Sequence, residues 1–186
     1  MGRLTVEQIV SVDGYGADAD GGLGFIESAR GGNPNDEDQL AFLDGIDAIL
    51  LGANTYRMFA EYWPAADPEV EVVAEPINRL PKFVVSNTLE SAPWGEGSIE
   101  VLRGDAAEAA ARLKERYDGI VVWGSFMLAD ALFAGGLVDD LRLRVVPVLI
   151  GEGRSFTPAD LGERRLELDH VATHPSGHLG LSYRVR

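Results

Sequence analysis

The chain contains no cysteine. Disulfides, thiolate zinc sites, iron–sulfur clusters and a cysteine nucleophile are therefore excluded. It is also short of positive charge, with 16 basic residues against 30 acidic ones and a formal net charge of −14. Phosphate backbones bind basic surfaces, so nucleic acid is not an expected partner. A phosphorylated small molecule would need backbone amides or a few placed cations against that field. No apolar run approaches the roughly 20 residues that span a bilayer. The first residues, Met1-Gly2-Arg3-Leu4-Thr5-Val6, lack the basic start and long apolar stretch of a secretion signal. Val6 stands where an N-myristoylation signal needs Ser or Thr. The expected location is the cytoplasm, with no membrane partner. Histidine is scarce, and His170, His174 and His178 fall together near the C-terminus. Pro175 and Gly177 break any helix that would align them, so exposed histidines are expected there rather than a metal site.

What is present suits one domain. The chain has 186 residues, of which 46% are apolar and 25% charged. Leu4 to Ser11 reads as a buried strand that stops at Val12-Asp13-Gly14, a turn signal. From Gly14 to Pro34 the sequence is rich in glycine and reads as a long loop, either mobile over a site or simply surface. Asn35-Asp36-Glu37-Asp38 opens a helix through Leu43, with its acids at the favourable end of the dipole. Strands are expected at 47–51, 82–86, 99–102, 119–123 and 141–150, the last interrupted by Pro147. Helices are expected at 54–62, within 70–80, at 106–116 and at 125–133; in the third, Ala110, Leu113 and Tyr117 are core candidates. Residues 164–173 and 179–186 form a β pair around Pro175-Ser176-Gly177. Strands that alternate with helices give an α/β fold with a mainly parallel central sheet, flanking helices and an antiparallel C-terminal edge.

Five segments, in order, carry a family pattern. They are Ser11-Val12-Asp13-Gly14-Tyr15, Ile49 to Tyr56 around Gly52-Ala53-Asn54-Thr55, Lys82 to Leu89 around Ser86-Asn87-Thr88, Val121-Val122-Trp123-Gly124-Ser125, and Gly136 to Gly151. Together they resemble the reductase domain of the bifunctional riboflavin deaminase-reductases, and most of all its stand-alone bacterial relatives with the dihydrofolate reductase fold. A deaminase half is absent from this chain, since its zinc signature needs paired cysteines.

The resemblance implies a three-layer dihydrofolate reductase-like domain over residues 1–186. It also implies hydride transfer from NADPH, with NADH as the alternative, to a small heterocycle such as the ribosylamino-pyrimidine of riboflavin synthesis. Gly52, Thr55, Gly124 and Ser125 would approach the cofactor pyrophosphate. Ser86 and Asn87 would lie at the adenosine ribose phosphate, with Arg103 as the nearby cation. Many relatives carry Arg or Lys directly after the first glycine, whereas this chain has Ala53 and Asn54. Asp13 belongs to the Ser-x-Asp-Gly signature, or simply caps its turn. Asp36, or Asp38 if the register slips, stands where folate reductases hold a pterin-binding carboxylate, though helix-end charge explains both without any ligand and is the favoured reading. A substrate phosphate would need a cation, and Arg57, Lys82, Arg142, Arg144 and Arg154 are the candidates. Dihydrofolate reduction and a non-catalytic nucleotide-binding module are the competing readings. A homodimer through the C-terminal strands is expected.

Overall fold

A computed structural model describes residues 1–28 and 36–186. The strands are β1 (Arg3–Ser11), β2 (Tyr15–Ala17), β3 (Ala48–Gly52), β4 (Lys82–Val85), β5 (Pro93–Trp94), β6 (Gly97–Ser98), β7 (Glu100–Leu102), β8 (Gly119–Trp123), β9 (Asp140–Val146), β10 (Arg154–Ser155), β11 (Leu166–Thr173) and β12 (Leu179–Val185). The helices are α1 (Gly24–Ser28), α2 (Asp36–Leu43), α3 (Ala53–Tyr62), α4 (Ala74–Arg79), α5 (Ala106–Lys114) and α6 (Phe126–Ala134), with a 3-10 turn at Trp63–Ala65.

Eight strands form one sheet in the order β11-β12-β9-β1-β8-β3-β4-β7. From β9 to β7 every pairing is parallel, while β12 runs antiparallel to both β9 and β11. Strands in the parallel part are buried on both faces, and the sequence alternation sorts their side chains. Leu4, Val6, Leu50, Ile120 and Val122 face one core with Ala110 and Leu113 of α5 and Leu128 and Leu132 of α6. Ile49, Leu51, Val84, Val121 and Trp123 face the other, with Leu43, Tyr56 and Ile77. The two apolar layers and the sheet between them make the three-layer α/β arrangement expected from the sequence.

Two expectations need correction. The stretch after Asp13 is not plain loop within the described residues. Tyr15 and Ala17 pair with Ser155 and Arg154, and α1 follows. The Asp18 carboxylate accepts from the Asp20 and Gly22 amides, an Asx turn that organises the chain without a long apolar run to signal it. Residues 29–34 of that expected loop, and residue 35 at the expected start of the next helix, lie outside the described residues. The last parallel strand ends at Val146, because Pro147 has no amide for the ladder.

Candidate cofactor and substrate site

The site gathers at the carboxyl ends of β3 and β8, which are neighbours in the sheet. Each strand runs straight into a helix. Gly52 ends β3 and α3 begins at Ala53; Trp123 ends β8, and Gly124-Ser125 lead into α6. One set of hydrogen bonds locks the two junctions together. The Gly52 amide donates to Ser125 Oγ at 2.8 Å, and that hydroxyl donates to the Trp123 carbonyl at 3.0 Å. The Ser125 amide donates to Thr55 Oγ1 at 3.0 Å. Gln8 Nε2 donates to the Gly124 carbonyl at 2.6 Å, tying the turn to β1.

Small residues are required at this contact. Gly124 has φ +53° and Ser125 φ +52°, and Ser125 is the one non-glycine residue with positive φ among the described residues. A Cβ on Gly52 would meet Ser125 at 3.2 Å, and one on Gly124 would meet Thr55 Oγ1 at 3.3 Å. Backbone strain of this kind persists where surrounding contacts fix it. The Ser125 and Thr55 hydroxyls are spent on each other's junctions, so neither α3 nor α6 has a side-chain cap. Neither has an acid in its first turn. Two helix N-termini thus point uncapped amides and unneutralised dipoles at the same sheet edge, an arrangement that attracts phosphate.

The next two strands extend this edge. Ser86 Oγ accepts from the Thr88 and Leu89 amides at 3.2 and 3.1 Å. Asn87 Oδ1 accepts from the Gly104 amide at 2.8 Å, and Arg103 donates to the Leu89 carbonyl at 2.5 Å. Ser86, Asn87 and Arg103 therefore form one cluster joining the ends of β4 and β7. The guanidinium is exposed and pairs with no carboxylate among the described residues; the Asp105 carboxylate instead caps α5 through the Glu108 amide. Arg57, one turn into α3, curls back to donate to Asn54 Oδ1 at 2.9 Å.

A second constellation lies across β1, and sequence reasoning missed it. Glu7 stands between Trp123 of β8 and Arg142 of β9 in register, so all three side chains share a sheet face. Glu7 accepts from Trp123 Nε1 at 3.1 Å, from Gln39 Nε2 at 3.1 Å and from Arg142 at 2.5 Å. Arg142 also donates to Gln39 Oε1 at 2.6 Å, pairs with Asp38, and lies 4.3 Å from the centre of the Phe42 ring. Glu7, Gln39 and Arg142 are all buried. This network fastens α2 to the sheet. The signal was present: a Glu-Gln pair inside an otherwise apolar central strand, and an arginine in another.

The remaining predicted residues divide. Asp13 is exposed, and its carboxylate accepts from the Gly151 amide at 2.8 Å and from the Ile150 amide. The Ser11 hydroxyl and these amides hold it below the usual carboxylate range. Asp36 opens α2, but its side chain lies outside the described residues. Asp38 is held by Arg142 and by His170. Lys82 is buried, donating to the carbonyls of Ile77, Asn78 and Leu80, and burial pushes its ammonium down to about 8. Arg154 pairs with Asp130. Arg144 alone of the five candidate cations has no hydrogen bond or ion pair among the described residues; it lines a small cleft with Asp38, Gln39, His174 and His178. The expectation of exposed histidines fails at His178, which packs under the hairpin turn with Nδ1 2.8 Å from Ser176 Oγ. Its desolvation, followed by the charges of Arg144 and His174, holds its pKa low. His174 Nδ1 is also buried, without a partner.

A parallel sheet that gathers glycine-rich strand–helix junctions at its carboxyl edge, and closes with an antiparallel hairpin, defines the dihydrofolate reductase-like class. Residues 3–179 match the RibD C-terminal domain family, and the chain belongs to it. Uncharacterized protein YyaP of Bacillus subtilis is 28% identical over 147 residues, 76% of each chain. A candidate riboflavin biosynthesis protein from Shewanella sp. PV-4 superposes with a TM-score of 0.77 at 21% identity, covering 99% of both chains. Dihydrofolate reductase from Enterococcus faecalis, solved with NADP(H), gives a TM-score of 0.61 at 14% identity over 100% of this chain and 97% of its own. Family and fold support a reductase-like function. No helix among the described residues is long and apolar enough to cross a membrane.

Proposed function

We propose that the protein is an NAD(P)H-dependent reductase that moves a hydride to a small heterocycle. The observation that carries this reading is the locked pair of uncapped helix N-termini at Gly52 and Gly124-Ser125. Their geometry leaves backbone amides for a pyrophosphate and no side chain to fill the approach. Bound there, a dihydronicotinamide supplies the hydride, and the protein's task is to place two rings face to face and to exclude water.

Gly52, Thr55, Gly124 and Ser125 would frame the pyrophosphate, with the uncapped first-turn amides of α3 and α6 as donors, because the Gly52, Gly124 and Ser125 amides already donate to Ser125 Oγ, the Glu7 carbonyl and Thr55 Oγ1. Ser86, Asn87 and Arg103 would hold the adenosine end. The structure's use of Asp13 favours positioning over proton transfer, because hydrogen bonds that stabilise the ionised carboxylate leave it without a proton to donate and make it a weaker base. It ties the turn after β1 to the segment after β9. Asp38 is committed to Arg142 and His170, which disfavours dihydrofolate reduction through that residue. Arg144, the one of the five candidate cations without a side-chain partner among the described residues, supports an anionic group on the substrate, as a ribosylamino-pyrimidine phosphate would have.

The test is titration with NADPH and then NADH, followed by tryptophan fluorescence. Trp123 adjoins the turn, and its ring centre lies 5.7 Å from that of Phe59 with the two planes tilted by 42°. Saturable quenching with energy transfer to the nicotinamide is expected. Its absence for both cofactors in folded protein at low salt favours the non-catalytic module. A homodimer is also part of the proposal, supported by the exposed Leu166, Leu168 and Val171 on edge strand β11, and sedimentation equilibrium tests it.

A further inference from the structure

The opposite edge of the sheet carries a second concave site that the hydride-transfer reading does not use. It lies where β1 and β9 begin and β12 ends, a full strand away from the cofactor edge. Nine residues of β1 at about 3.3 Å each put the two sites roughly 25–30 Å apart. The concavity is about 450 Å³, within the range of small-molecule sites. Arg3, Arg164, Arg184 and Arg186 line it, and Phe133, Val138 and Val185 add apolar wall.

Charge makes this place unusual. The chain as a whole has only 16 basic residues and a net charge of −14. Yet four arginines from three separate parts of the sequence converge here, and Asp139 is the one carboxylate in the lining. Asp139 is already satisfied by Lys114 Nζ at 2.5 Å and by the Leu4 amide at 2.7 Å. Arg3, Arg184 and Arg186 are held from outside the lining by Asp140, Asp169 and Glu167. These are exposed pairs, which contribute little to stability and leave further N–H groups on each guanidinium. Arg164 donates only to the Glu163 carbonyl and has no carboxylate among the described residues. A concave surface in which cationic side chains outnumber acidic ones concentrates anionic ligands, even on a protein of net negative charge. Guanidinium forks fit phosphate oxygens in pairs.

We infer that this basic concavity is a second binding site, for a small organic phosphate of about nucleotide size. Its phosphates would lie against Arg164, Arg184 and Arg186, and its ring or sugar against Phe133, Val138 and Val185. Occupancy would leave the cofactor edge free, so the site suits an effector or an anchor for a phosphorylated molecule.

Isothermal titration of the full chain with ADP tests this, using wild type, Arg164→Glu and Arg184→Glu. ADP also resembles part of the proposed cofactor, so NADPH binding is measured in each variant by fluorescence. The expected result is a saturable ADP site weakened at least tenfold by either substitution, with NADPH affinity unchanged. The affinity should also fall steeply between 50 and 200 mM salt, as charge-driven binding does. Inorganic pyrophosphate, which has no ring, should bind the same site more weakly. Absence of ADP binding, or ADP binding that both variants keep, overturns the proposal. So does pyrophosphate binding as tight as ADP, which would make the apolar wall irrelevant.

Discussion

The cradle at Gly52 and Gly124-Ser125 and the network around Glu7 and Arg142 meet at the end of β8, where Trp123 joins the network and leads into Gly124, yet they are built oppositely. The cradle is made of backbone and small residues, and its two hydroxyls serve to hold the junctions together. It leaves the first turns of α3 and α6 without side-chain caps or acids, an arrangement that favours an anion. The network is made of large charged side chains, and each of its members is already paired. The difference separates two uses of electrostatics in one layer. An unneutralised pair of dipoles at a solvent-facing edge favours a ligand. A neutralised ion pair inside the core favours one arrangement of α2 on the sheet.

Breaking the network should have the larger effect. Arg142→Met leaves the Glu7 carboxylate buried among Gln39 and Trp123 without a counter-charge. The expected loss of stability is about 3–5 kcal/mol by urea unfolding. The double change Glu7→Leu with Arg142→Met should recover most of that loss, since the removed charges no longer need each other. A double variant as unstable as the single one would mean that α2 depends on Arg142 for more than charge.

Breaking the cradle should spare stability relative to binding. Gly124→Val places a branched side chain at φ +53° and 3.3 Å from Thr55 Oγ1. NADPH binding should fall by about 100-fold or more, roughly 2.7 kcal/mol. Retained affinity in a folded variant would take the turn out of the site.

The two regions also differ in how far the sequence revealed them. The cradle is local: glycine and serine at the end of a short β-branched run, followed by a helical pattern, can be read within eight residues. That is why the strand–helix junctions at Gly52 to Thr55 and at Gly124-Ser125 are legible, as is the order of strands and helices. The network joins residues 32 to 135 positions apart. Arg142 was noticed only as an arginine, because its partner depends on β1 lying between β8 and β9, an order no local pattern encodes. The same reason hid the basic concavity, whose arginines come from the first strand, a loop and the last strand. Histidine exposure was misjudged because the turn at Pro175-Ser176-Gly177 folds His178 back onto the sheet rather than away from it.

A buried cation outside both regions sharpens the contrast, because it is satisfied by carbonyls instead of carboxylates. Lys82 donates to three of them and lies 4.9 Å from the Trp94 ring centre. Lys82→Met should cost about 1–3 kcal/mol by leaving those carbonyls unpaired. The pH dependence has a definite sign. Burial lowers the folded-state pKa from 10.5 to about 8. Below pH 8 both states are protonated and Lys82 contributes no slope. Between about 8 and 10.5 the unfolded chain binds the extra proton, so stability relative to Lys82→Met should rise with pH. A flat or falling difference over that window would show that the carbonyls hold the charged form as well as water does.

The smallest expected effect tests position 53, where the family resemblance implies a cation and this chain has alanine. Ala53 is the first residue of α3, and Arg57 lies one turn behind it, holding Asn54. A guanidinium at position 53 would stand at the helix N-terminus, beside Arg57 and across from Ser86 and Arg103. Ala53→Arg should tighten NADPH more than NADH, by about tenfold or 1.4 kcal/mol, because only NADPH adds a phosphate for it to meet. The gain should shrink as salt is raised, since the new pair is exposed. If Arg57→Ala in the natural chain lowers NADPH affinity and leaves NADH unchanged, Arg57 already performs from the second turn what position 53 does in the relatives. Equal changes for both cofactors in both variants would place the 2′-phosphate away from α3 and nearer Arg103.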